Sequence, residues 1–287
     1  MVDAVNPPAP RSPRFSGWFW ILPALIVFVL LYTVPLAQML LRSVMADTVT
    51  LDHYGHILAE HIYLKVYWIT IQVGIFVTLG CLIAGYPLAY FLTCLQGRWL
   101  QFSLIFILLP FWISSLVRNY AWIAILTRNG ILNTMLLRAG IISEPLPLMY
   151  NMTGVIIGMT YVLMPFMILT LYGVMRGIDP QYIRASSSLG AHPTETFWRV
   201  FFPLSLPGVW AGSLLVFVIA IGFFVTPALL GGGRVPTVAT LIESQVRGVL
   251  NWGLGSALGV VLLASVLLIY FVFDRVLGVE YMFRRRQ

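Results

Sequence analysis

DPQYIRASSSLGAHPTETFWRVFFPLSLP, running from Asp179 to Pro207, is the longest polar interruption late in a chain that is otherwise mostly lipid-like. Tyr182 to Leu189 forms a short helical run that stops at Gly190, a residue suited to close a helix because it accepts a left-handed backbone. A second run opens at His192-Pro193-Thr194-Glu195, where polar and acidic residues favour a helix entry. Phe197, Trp198, Val200, Phe201 and Phe202 then lead to Pro203 and Pro207, where the next apolar segment begins. This order predicts a helix–turn–helix lying on a membrane surface, a knob to be gripped by something outside the bilayer.

The rest of the chain supplies the membrane. Of 287 residues, 60% are hydrophobic and 9% charged, against about 25% charged in soluble domains. The mean hydropathy is +0.91. The fold class that follows is all-α integral membrane, with the bulk in one helical domain over 17–280. Six apolar runs of spanning length are expected near 18–41, 67–95, 101–126, 151–176, 204–231 and 253–277. Trp18 and Trp20 suit the interface of the first. Gly85 and Pro87 predict a kink in the second, and Pro110 lies within the third. Residues 1–16 and 281–287 read as basic tails, and 177–203 as the one long surface loop. After Gly231-Gly232-Gly233, the segment around Val238, Leu241, Ile242 and Val249 is helical in period but too short to span, so a re-entrant or surface helix is expected.

Six spans put both termini on one side. Arg11, Arg14, Arg98, Arg176, Arg184, Arg199, Arg275, Arg284, Arg285 and Arg286 fall on that side. Arg42, Lys65, Arg118, Arg128, Arg138, Arg234 and Arg247 fall on the other, ten against seven. The tightest clusters and the excess mark the terminal side as cytoplasmic, which places 179–203 there as well. The net charge of +7 therefore speaks of topology and not of nucleic acid.

Chemistry of other kinds is sparse. No G-x-x-x-x-G-K-[S/T] phosphate loop occurs, so this chain is not expected to hydrolyse ATP itself. Cys81 and Cys94 lie about 20 Å apart along one helix and cannot bridge within it. His53, His56 and His61 beside Glu60 match no metal spacing and read as a solvated connection over 42–66. The spans lack the acid or histidine chain that proton-coupled carriers need. A stand-alone carrier or an integral-membrane enzyme is correspondingly disfavoured.

The 179–207 stretch resembles the cytoplasmic coupling loop of type I ABC importer permeases: Glu-Ala-Ala, three residues, Gly, nine residues, then Ile-x-Leu-Pro. In that register fall Arg184-Ala185-Ser186, Gly190, Val200, Phe202 and Pro203, with Leu189-Gly190-Ala191 typical of the family. Arg184 stands where the family has Glu, a reversed charge, and Ser186 where it has Ala. Further likeness, to the spermidine/putrescine permease group, is carried by several segments. They are Leu109-Pro110-Phe111-Trp112, Ser114-Ser115-Leu116-Val117-Arg118, Tyr120-Ala121-Trp122, Thr226-Pro227, Leu229-Leu230-Gly231-Gly232, Leu241-Ile242, Asn251-Trp252 and Gly255-Ser256-Ala257. The resemblance implies a six-helix permease fold and a second permease subunit, expected as a heterodimer. It also implies a dimer of ATPase subunits that binds ATP and Mg²⁺, and a periplasmic binding protein. It makes Arg184, Ala185, Ser186, Gly190, Ala191 and Pro203 the ATPase-coupling residues.

Candidates for the solute path are Ser115, Arg118, Asn119, Phe223, Phe224 and Glu243. Each also has a plainer role. Ser114, Ser115 and Asn119 can bond neighbouring helices, Arg118 can snorkel to headgroups, the phenylalanines can pack, and Glu243 can be a solvated helix charge. Many members of the polyamine group carry an acid where Phe223 or Ala228 stands here. The solute is thus open between a polyamine and a less cationic one, such as an opine, a sugar–amino acid conjugate or an amino acid derivative.

Overall fold

The computed structural model describes residues 16–45 and 50–277. The tails expected at 1–16 and 281–287 lie outside these residues, except for Ser16. Every regular element described is helical: α1 Ser16–Val44, α2 Asp52–Ala59, α3 His61–Cys94, α4 Gly97–Trp112, α5 Ser115–Leu126, α6 Ile131–Arg138, α7 Met152–Arg176, α8 Pro180–Ser188, α9 Pro193–Thr196, α10 Phe202–Ile221, α11 Val225–Gly231, α12 Val238–Glu243 and α13 Trp252–Leu277. Two π-helical turns are inserted, Phe197–Phe201 before α10 and Ser244–Gly248 after α12. In lipid a helix satisfies its own backbone groups within one segment, which suits long, continuous apolar runs of this kind.

The core is a triad. α3, α7 and α10 pack on one another, and their buried residues, among them Val77, Cys81, Met159, Leu163, Met167, Leu171 and Val216, form one continuous cluster. Small residues set the spacing. A Cβ placed on Gly208 of α10 would stand 2.9 Å from Val174 Cβ of α7, and one on Gly212 would stand 2.8 Å from Met167 Sδ. With no hydrophobic drive between helices in lipid, this close backbone approach gains the dispersion contact that holds the pair. α1 leans on α13 by its second half, where Met39 meets Gly259, and Arg42 lies over the Trp252 ring at 5.3 Å. Side chains along the first half of α1, from Ile21 to Tyr32, are exposed.

Two expected spans differ. The third, drawn at 101–126, is not one helix. α4 ends at Trp112, and the chain turns by 97° into the α5–α6 segment, so this pair makes one broken span or a re-entrant loop. The fifth, drawn at 204–231, ends at Ile221; Gly222-Phe223-Phe224 interrupts it before α11. Both breaks lie inside apolar composition, which hydropathy averages over. Among the described residues five helices are long and apolar enough to span, or six with the bent pair counted as one. The second span starts at His61, earlier than drawn, because Tyr63 and Val66 already face buried surface.

Candidate functional site

The polar stretch forms an elbow. Asp179 caps α8 by accepting from the Gln181 N–H at 2.8 Å, and Pro180, whose missing N–H is not needed in a first turn, follows it. The arm closes on Gly190 at φ +82°. There the Gly190 N–H reaches the Ser187 carbonyl at 3.0 Å and the Ala191 N–H reaches the Ser186 carbonyl at 3.2 Å. These paired bonds are a Schellman closure, which needs a left-handed residue at this place. Ser186 Oγ lies 2.9 Å from Thr196 Oγ1 and ties the first arm to the second. Tyr182, Arg184 and Ala185 on α8, and Leu189 just after it, remain exposed, Leu189 at 89%. A groove of about 470 Å³, bounded by Thr93, Gln96, Tyr172, Arg176, Ile183 and Phe201, runs between α8 and the α3–α4 connection. The first arm thus stands partly clear of the body.

The second arm corrects the expected helix–turn–helix. It is not a separate surface helix: from Pro193 the chain runs helical to Ile221 and becomes the span itself. Pro203 ought to break such a helix, since it lacks an N–H and its ring crowds the carbonyl one turn back. The helix widens into the π-turn over Phe197–Phe201, where the Phe202 N–H reaches the Phe197 carbonyl, and so makes room. Pro203 therefore sits within a continuous rod and not at the start of the span. The elbow's second arm is therefore continuous in sequence and in helix with a core helix. The exposed Arg199–Glu195 pair, at 2.9 Å, adds at most a few tenths of a kcal/mol.

The path candidates divide. Ser115, Arg118 and Asn119 sit on α5, which packs beside α11, and Phe223 and Phe224 occupy the break that precedes α11. These two groups are carried by neighbouring elements. Glu243 ends α12, whose main neighbours are α3 and α13, and it is half-buried without an ion pair to any described residue. Asn119 is buried and donates to the Ser115 carbonyl at 2.8 Å, an intrahelical bond. Arg118 does not snorkel outward. Its guanidinium donates to the Pro110 carbonyl at 2.8 Å. In an unbroken helix that carbonyl would take the Ser114 N–H; the break orphans it, and Arg118 supplies the replacement. Phe223 is half-buried against the core cluster.

Sequence reasoning missed the residues behind the elbow. Tyr86 and Tyr90 of α3 pack on Phe197, Phe201 and Phe202, and the Tyr86 hydroxyl lies 2.8 Å from Ser205 Oγ. The one signal available was the pair of tyrosines a helical turn apart. The three histidines of 42–66 do not gather: His56 pairs with Glu60 at 3.3 Å, and no metal-holding group of His, Cys, Asp or Glu occurs among the described residues.

The family described as "Binding-protein-dependent transport system inner membrane component" matches residues 85–279, which include the elbow, both breaks and two of the three core helices whole. The chain belongs to this family of permeases. The PotB permease protein of the spermidine/putrescine transport system of Salmonella typhimurium is 36% identical to this permease over 232 residues, 80% of each chain. YdcU, an inner membrane ABC transporter permease of Escherichia coli, is 27% identical over 305 residues, 95% of this chain and 96% of that one. A bacterial alginate ABC transporter, solved with its periplasmic protein bound to an alginate pentasaccharide, superposes with a TM-score of 0.73 at 15% identity. That match covers 90% of this chain and 92% of that chain, and it speaks for the fold alone. The permease is a multi-pass inner-membrane subunit of an ABC importer, working with a separate ATPase and a binding protein, and is not itself an enzyme.

Proposed function

We propose that this permease forms half of the path for a polyamine such as spermidine or putrescine, beside a second, different permease chain. The ATPase dimer, which holds ATP and Mg²⁺, drives it through 179–203. Both termini and the elbow are cytoplasmic, and the periplasmic binding protein docks on the opposite face. The observation that carries the solute is the 36% identity to a chain named for spermidine/putrescine transport.

The break at Gly222-Phe223-Phe224 supports the path. Interrupted helices at the heart of a transporter expose backbone groups and side chains to the solute. Phe223 and Phe224 offer aromatic faces to ammonium groups. On the span helices carboxylates are confined to Glu195 at the elbow and Asp274 near the end of α13. The remaining negative charge for a polyamine would come from the partner permease. Arg118, a cation committed to the Pro110 carbonyl, acts as a strut for the broken span and not as a contact for a cationic solute.

The test is uptake of radiolabelled spermidine into proteoliposomes holding the full complex, with ATP inside the reaction compartment and the binding protein outside. The proposal expects ATP-dependent uptake that putrescine competes. Uptake competed by an opine or an amino acid derivative, and not by polyamines, would replace the solute and leave the importer standing.

A further inference from the structure

Behind the elbow, a rigid helix meets one that is loosened. Over Phe197–Phe201 the second arm forms wide π-type hydrogen bonds, and Pro203 and Pro207 each withhold an N–H from the next turns. A helix interrupted in this way bends and changes register more readily than a regular one. Yet this stretch must carry any displacement of the elbow into the span.

Two tyrosines on α3 grip it. Tyr90 meets Phe197 at 5.4 Å and Phe201 at 5.0 Å, both edge to face. Tyr86 meets Phe197 at 6.3 Å and Phe202 at 5.9 Å. The Tyr86 hydroxyl lies 2.8 Å from Ser205 Oγ, and Ser205 is fully buried. Ser205 Oγ also lies 2.8 Å from the Phe202 carbonyl and donates to it. A serine has one hydroxyl proton, so the Tyr86 O–H is the donor to Ser205. The relay runs from Tyr86 through Ser205 to the carbonyl that directly follows the π-turn. It joins the loosened helix to α3 by a directional bond, beside the aromatic contacts.

The geometry points to Tyr86 and Ser205 as positioning residues that clamp the π-turn to α3, so that elbow movement passes into the α3–α7–α10 core instead of being absorbed by the loosened turn. This rests on the reading of 179–203 as the ATPase contact.

The test uses Tyr86→Phe, Ser205→Ala and the double variant in the full complex of both permease chains and the ATPase dimer, reconstituted with binding protein. Tyr86→Phe keeps the ring and removes one hydroxyl, so the complex should assemble at normal levels. ATP hydrolysis should continue in all three, while spermidine uptake per ATP falls about threefold to twentyfold. That is the range by which one interhelical hydrogen bond in a membrane shifts a two-state equilibrium. The double variant should match the singles, because each removes the same relay. An unchanged ratio in Tyr86→Phe, losses that multiply in the double variant, or uptake and hydrolysis falling together with the amount of complex would each overturn the clamp.

A second readout needs no uptake: the ratio of ATP hydrolysis with binding protein to that without, expected to drop toward one in the variants. A wild-type complex that keeps this ratio but imports no spermidine contradicts the solute, and the ratio still decides the clamp. A wild-type permease from which no ATPase co-purifies contradicts the elbow reading and the clamp with it.

Discussion

Replacing Gly190 by alanine, asparagine or aspartate separates backbone geometry from docking. Gly190 holds φ +82°, and a Cβ built there meets nothing within 4 Å in this chain. Steric crowding within the permease therefore contributes nothing, and the penalty is the left-handed backbone alone. For a residue with a Cβ this is about 1–2 kcal/mol, which lowers the population of the closed turn roughly fivefold to thirtyfold. Asparagine tolerates the left-handed region better than alanine, so Gly190→Asn retains more of the Schellman closure while adding bulk. Gly190→Asp tolerates the backbone in the same way but puts a negative charge on the surface offered to the ATPase. The assay is the ATPase recovered per permease on purification, together with uptake in proteoliposomes. Retention should fall from glycine to asparagine to alanine. Gly190→Asp should abolish uptake with the permease inserted at normal levels. Full retention and uptake by Gly190→Ala, or asparagine performing worse than alanine, would refute the backbone argument. Full transport by Gly190→Asp would remove the coupling role from the stretch.

Arg118→Met should leave the Pro110 carbonyl without its donor and cost about 1–3 kcal/mol, read as a lower Tm of the detergent-solubilised permease; an unchanged Tm would show the strut to be idle. Phe223→Ala, and separately Glu243→Gln, should impair uptake without loss of complex, the first more because Phe223 sits at the break and Glu243 on a different group of helices; normal uptake in both would move the path elsewhere. Reporter fusions after Arg98, Arg176 and Gln287 should report cytoplasm, and those near Asp52, Gly140 and Arg247 the outside. A cytoplasmic signal at Gly140 would mean that the bent pair does not cross.

Much of this arrangement was legible in the sequence because it depends on local signals. Gly190 in a polar run reads as a helix stop, and that is the role it has. Apolar length gave the spans at 18–41, 151–176 and 253–277 to within a few residues. The breaks at Ile113-Ser114 and at Gly222-Phe224 were not legible, since a hydropathy window averages over the few polar residues near the first and finds only apolar ones around the second. The continuity of the second arm was hidden for a different reason. Pro203 argues for a helix end, and only the π-turn, a response of the backbone, keeps the rod whole. Arg118 was read as a candidate for headgroups or solute because its carbonyl partner exists only once the span breaks. The Tyr86–Ser205 contact joins residues 119 apart, beyond any periodicity argument.

The most direct test of the account is a photo-crosslinking residue at position 189. Leu189 is 89% exposed at the tip of the elbow, whereas Leu268, 64% exposed, lies within the α13 span. Irradiating the full complex in membranes should yield a covalent adduct of permease and ATPase from position 189 and none from position 268. An ATPase adduct from position 268, or none from position 189 in a complex that still holds its ATPase, would contradict the claim that the ATPase drives this permease through the elbow.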